Sequence, residues 1–155
     1  MHKTQIAIEK YHDEHGSTVL VKKLFISVGT NDIRYAYSRG VKYLKAPLNR
    51  LINKAKELFP SAEVYIHSLL PIYEENRWTA ANVMNLNDLI RATCVEQGVY
   101  YLNFLKKFLH RDGSRNASLF RDKVHPSWEY GMGILARGYI QLIHRGKASF
   151  NPDVM

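Results

Sequence analysis

One cysteine, Cys94, stands in 155 residues, so no internal disulfide can form and packing alone must hold the chain together. A reducing, cytoplasmic setting is the expectation. The opening MHKTQIAIEKYHDEHG lacks the apolar core of a signal peptide, and no stretch approaches the ~20 apolar residues of a membrane span. Internal repeats and low-complexity tracts are lacking as well. The seven histidines show no His-x-x-x-His beside a carboxylate, so neither a metal nor another cofactor is expected. Acidic residues are in deficit, 14 against 22 Lys and Arg, for a formal charge of +8. Such a charge attracts nucleic acid, anionic lipid or acidic substrates without selecting among them. The basic residues run from Lys22 and Lys23 through Arg50, Lys54, Lys106, Lys107 and Arg115 to Lys123 rather than gathering in one arm, which reads as a solvated surface.

What the chain does have is 46% hydrophobic content, enough for one domain with a core. Residues 22–28 (KKLFISV), 62–67 (AEVYIH) and 98–103 (GVYYLN) are short apolar runs bounded by turn residues, the pattern of buried strands. Between them, 41–59 carries Val41, Leu44, Leu48, Leu51, Ile52, Ala55 and Leu58 on one helical face, and Pro47 implies either a kink or a late start. A helix over 79–97 has Val83, Leu86, Leu89, Ile90 and Val95 as its apolar face and Gly98 as its stop. The last helix is expected from Ser127, as N-cap after Pro126, to about His144, with Trp128, Met132, Leu135, Tyr139 and Ile143 inward. Residues 3–14 form a first helix resting on Ile6, Ile8 and Tyr11. Phe104, Phe108 and Leu109 are expected in the core, and His67 as a core or rim histidine. Strands alternating with helices predict an α/β fold with parallel pairing and helices on both faces.

Ligands of open parallel sheets bind beyond the carboxyl ends of the strands. Directly after FISV comes Gly29-Thr30-Asn31-Asp32. Gly permits a sharp turn there, and an Asn side chain can donate into the cleft to developing negative charge; a plain turn uses the same residues. Later comes Asp122-Lys123-Val124-His125, followed by Pro126. Its carboxylate can hold one imidazole nitrogen while the other faces the cleft, the orienter and base of a Ser-His-Asp triad, or both residues can simply cap the last helix. The two segments, roughly 90 residues of alternating helix and strand apart, point together to chemistry.

In these two segments the chain resembles the SGNH/GDSL hydrolase family, from about residue 20 to residue 144. The resemblance implies a three-layer α/β/α sandwich with a flavodoxin-like parallel sheet and metal-free hydrolysis of esters, thioesters or acetyl groups. It makes Asn31 an oxyanion-hole donor, His125 the general base and then acid, and Asp122 the residue that orients His125. By their position after the strands, Gly29, Asp32, Tyr35 and Tyr73 are expected to contact the substrate, with Arg34, Tyr37 and Trp78 near the same cleft, though the segment of Tyr73 and Trp78 reads equally as a surface loop with packed aromatics.

The family's Gly-Asp-Ser block, which carries the nucleophile, and the Gly of its second block are not found before Gly29. Ser17 falls in a helix-to-strand turn at the wrong edge of the sheet, and Ser68 precedes Leu69-Leu70-Pro71 in what reads as a structural loop. The expectation is therefore a partial hydrolase domain over 1–145 missing its first strand or strands, a loose tail over 146–155, and little or no activity by this chain alone. The first alternative is a non-catalytic module binding nucleic acid or another polyanion, retroelement-derived in origin, since similar esterase domains accompany nucleic-acid-binding parts in retroelement proteins. A carbohydrate deacetylase of the same fold would share every motif.

Overall fold

Three short strands and their alternating side chains set the architecture. The computed structural model describes residues 1–33, 38–72 and 80–145. Strands β1 (Lys23–Ser27), β2 (Glu63–His67) and β3 (Tyr100–Leu102) form one parallel sheet in the order β1-β2-β3. Successive side chains point to opposite faces. Ile26, Val64, Ile66 and Tyr101 therefore join one buried cluster, whereas Tyr65 and Leu102 join another, with Phe25 and Tyr100 packed against it. Helices α1 (His2–His15), α2 (Lys45–Leu58) and α3 (Ala80–Gln97) cover the first face, and α4 (Gly131–Arg145) the second. The result is the expected three-layer α/β/α arrangement on a three-stranded parallel sheet.

Under α4 the strands carry an aromatic row. The Phe25 and Tyr65 rings stack at 5.1 Å and the Tyr65 and Tyr100 rings at 4.7 Å, and Tyr139 of α4 closes on Phe25 at 4.7 Å. Each such pair adds about 0.5–1.5 kcal/mol beyond its buried area. On the other face Leu48, Leu51, Ile52 and Ala55 of α2 are completely buried. Pro47 does not kink that helix. A 3₁₀ turn over Val41–Leu44 precedes it, so Pro47 lies in the first turn, where its missing N–H has no intrahelical acceptor to lose.

Helix α3 ends at Gly98, whose φ of 65° lets its N–H reach the Val95 carbonyl at 3.2 Å and the Val99 N–H reach that of Cys94 at 3.0 Å. The expected apolar face needs one correction. Val95 is 73% exposed and Cys94 is buried in its place, because Leu86 and Ile90 set a period that returns at position 94. In α1 only Ile8 of the three expected anchors is buried, while Ile6 and Tyr11 are exposed.

The last helix is the larger correction. It begins at Gly131, not at Ser127. Ser127 accepts the Gly131 N–H on its hydroxyl at 3.0 Å and the Met132 N–H on its carbonyl at 2.9 Å, with Trp128–Tyr130 forming a turn between. Trp128 thus faces solvent, 71% exposed, as do Met132 and Ile143, and Leu135 and Leu142 carry the buried face with Tyr139 packed beside them. No helix among the described residues is long and apolar enough to cross a membrane. The tail 146–155 lies outside the described residues.

Candidate active site

At the carboxyl end of β1 the chain turns on Gly29, whose φ of 104° is open to glycine. Its carbonyl accepts the N–H groups of Asp32 at 3.1 Å and Ile33 at 2.9 Å, and Ile33 is fully buried as the anchor. A Cβ on Gly29 would meet Leu69 Cδ1 at 2.7 Å, so the turn and the loop after β2 need glycine to approach so closely. Thr30 and Asn31 line a cavity of about 620 Å³, whose other walls include Leu69, Leu70, His125 and Tyr139.

His125 reaches that cavity from a loop closed on itself. Phe120 and Pro126 form an antiparallel bridge, Arg121 N–H donates to the His125 carbonyl at 3.0 Å, and Ser127 N–H donates to that of Leu119 at 2.8 Å. Within it Asp122 organises three donors. Its Oδ1 accepts the backbone N–H groups of Val124 at 2.8 Å and His125 at 2.7 Å, and its Oδ2 lies 2.8 Å from His125 Nδ1. These bonds, the backbone ones first, hold the Asp122 carboxyl well below the usual carboxylate range. An ionised carboxylate can only accept, so Nδ1 carries the hydrogen, and the neutral imidazole keeps its lone pair on Nε2.

Of the residues expected at the site, Asn31 and His125 therefore line one cavity, and Asp122 bonds to His125. Gly29 and Asp32 line a second cavity, of about 560 Å³, against the start of α1, to which Asn31 also contributes. There the Asp32 carboxylate accepts from the Met1 amine at 2.9 and 2.8 Å. Tyr35 and Tyr73, like Arg34, Tyr37 and Trp78, lie outside the described residues. Ser68 is fully buried, and its hydroxyl accepts the N–H groups of Phe104 at 3.0 Å and Leu105 at 3.1 Å, joining the loops after β2 and β3. Ser17 is exposed in the turn after α1.

Two further residues line the cavity: Ser27, which drew no notice in the sequence, and His67, expected only in the core or at its rim. Ser27 closes β1, opposite His67 in the parallel register, and both line the cavity of His125. His67 is indeed buried, its Nδ1 donating to the Ser68 carbonyl at 2.9 Å and its ring edge-on to Phe104 at 5.7 Å. Burial pulls its pKa below the ordinary histidine value. Among the described residues no group of His, Cys, Asp or Glu is placed to hold a metal ion. Several surface cations are already paired, Lys45 with Glu96 at 2.9 Å and Lys54 with Glu57 at 2.8 Å.

A family model for the GDSL-like lipase/acylhydrolase family matches residues 5–129. This chain belongs to that family. The fold of solved structures agrees. A putative acylhydrolase from Bacteroides fragilis superposes with a TM-score of 0.66 at 18% identity, over 88% of this chain and 67% of its own. A GDSL-like lipase from Bacteroides thetaiotaomicron gives 0.63 at 20% identity, over 89% and 69%. A catalytic mutant of an acetylxylan esterase from Geobacillus stearothermophilus gives 0.62 at 17% identity, over 90% and 67%. The GDSL-type chain thus spans about two thirds of the length of these neighbours. Among curated proteins, none matches it.

Proposed function

We propose that this chain carries the acid–base and oxyanion-binding part of a serine esterase acting on small ester or acetyl groups, with the nucleophilic serine supplied by sequence outside residues 1–155. The observation that carries the proposal is the Asp122–His125 pair opening onto a cavity it shares with Asn31. In the reaction His125 Nε2 takes the proton of the serine hydroxyl as its oxygen attacks the carbonyl carbon. The Asn31 amide donates to the oxyanion of the tetrahedral intermediate. Collapse breaks the bond to the leaving alkoxide, which takes the proton from His125. Water then repeats the sequence on the acyl-enzyme, and Asp122 stays ionised throughout, holding the imidazole in its Nδ1–H form.

Without the serine, oxyanion binding and water activated by His125 leave only residual turnover. The test is p-nitrophenyl acetate hydrolysis by the 155-residue chain, by a version extended upstream to a Gly-Asp-Ser strand, and by His125→Ala and Ser27→Ala versions of each. Activity confined to the extended protein and lost with His125→Ala supports the proposal. Turnover by the short chain that disappears with Ser27→Ala would instead place the nucleophile on β1, and an extended protein indifferent to His125→Ala would favour a non-catalytic module.

A further inference from the structure

The Arg115 side chain ties together the two loops that frame the cavity of His125. Its Nη2 donates to the Asp122 carbonyl at 2.7 Å and its Nε to the Pro71 carbonyl at 3.3 Å. The guanidinium carbon lies 3.7 Å from the centre of the Phe120 ring. Pro71 sits in the loop after β2, between Leu70 and Ile72 on the cavity wall, while Phe120 and Asp122 belong to the closed loop that presents His125. We infer that Arg115 is a positioning residue, a clamp that fixes the Asp122 backbone against the cavity wall and thereby sets the geometry of the Asp122–His125 pair.

The clamp is itself held. Arg115 bridges Leu109 in antiparallel fashion, His110 N–H donates to the Ser114 carbonyl at 2.8 Å, and Asn116 N–H to that of Phe108 at 3.0 Å. This small hairpin stands on Phe108, which is fully buried and 5.4 Å from the Phe120 ring. A planar guanidinium can donate to two carbonyls in fixed directions while stacking on an aromatic face; an ammonium group offers one compact charge and no flat face. The contacts go to carbonyl oxygens rather than to the Asp122 carboxylate, whose two oxygens are engaged by Val124 and His125. Arg115 therefore orients the pair without competing for it. Partial burial and its stacking distinguish it from the solvated basic surface the sequence suggested.

For its catalytic meaning the inference rests on the hydrolase proposal, but its test does not need turnover. The His125 Nδ1 resonance is followed by ¹⁵N NMR in wild type, Asp122→Asn, Arg115→Met, Arg115→Lys and the Arg115/Asp122 double variants, with melting temperature as the control for folding. Arg115→Met is expected to move the resonance most of the way to its Asp122→Asn position, so that adding Asp122→Asn moves it little further. Arg115→Lys, which keeps the charge and should fold where Met does not, is expected to show a partial displacement. A lowered melting temperature with the His125 resonance, and its full response to Asp122→Asn, unchanged in either single variant overturns the inference, because that is what a merely stabilising arginine would give. Absence of esterase turnover in every version would sink the hydrolase proposal and leave this result standing.

Discussion

Asp122 bonds twice to the same histidine, accepting the backbone N–H of His125 on Oδ1 at 2.7 Å and facing its ring Nδ1 with Oδ2 at 2.8 Å. One residue thus fixes both where the His125 backbone turns and which ring nitrogen carries the hydrogen. Asp122→Asn should separate these roles, since the amide oxygen can still accept the backbone donors while its NH2 cannot accept from Nδ1. In the serine-complete protein kcat is expected to fall on the order of 10⁴-fold, the size seen when a triad carboxylate becomes an amide. Steady-state kinetics beside a thermal melt measure it; a melting temperature close to that of wild type should accompany the loss.

Buried His67 should give the fold a pH dependence. Its pKa is depressed in the folded protein relative to about 6.5 when unfolded. Both states are neutral above that value, so stability is then complete. As pH falls below about 6.5 the unfolded chain takes up the proton first, and stability declines by at most about 1.4 kcal/mol per pH unit. Urea unfolding at pH 7.5 and 5.5 should show the decline in wild type and a smaller one in His67→Gln.

The start of α4 leaves no room beside the His125 loop. A Cβ on Gly131 would overlap the Leu119 carbonyl oxygen and approach Pro126 Cβ at 2.7 Å. Gly131→Ala should cost about 1–3 kcal/mol, as overpacking usually does, and should disturb the backbone bonds that close residues 119–127. Chemical denaturation reads the cost, and amide exchange at Arg121 and Ser127, which donate to His125 and Leu119, reads the disturbance.

The corrected register of α4 can be weighed by two truncations. Leu135→Ala, at a buried position, should lose about 2–5 kcal/mol. Trp128→Ala, at an exposed one beside the Arg121 guanidinium, should change stability by no more than about 0.5 kcal/mol. Equal losses at the two would restore a helix running inward from Ser127.

These positions also mark what the sequence could disclose. The contact of Asp122 with His125 was legible because both residues stand in one loop, three apart, and the place of Asn31 on the cavity wall because its segment follows a strand. The α/β class was legible from strand-length apolar runs alternating with helical ones. Trp128 was misplaced because Pro126-Ser127 reads as an immediate helix start, whereas Ser127 caps by way of a turn and shifts the helical face. Arg115 looked like one surface cation among many, since its partners at Pro71, Phe120 and Asp122 come together only when the loops pack. Ser27 was hidden for the same reason: its place at the cavity depends on pairing with β2, not on its neighbours in sequence.

The central claim is that His125 serves a serine outside residues 1–155, and covalent labelling with a fluorophosphonate, read by peptide mass spectrometry, addresses it most directly. The short chain is expected to stay unlabelled, and the version extended to a Gly-Asp-Ser strand to be labelled at that serine in a manner abolished by His125→Ala. Label on Ser27 of the short chain, or labelling of the extended protein that survives His125→Ala, would contradict it.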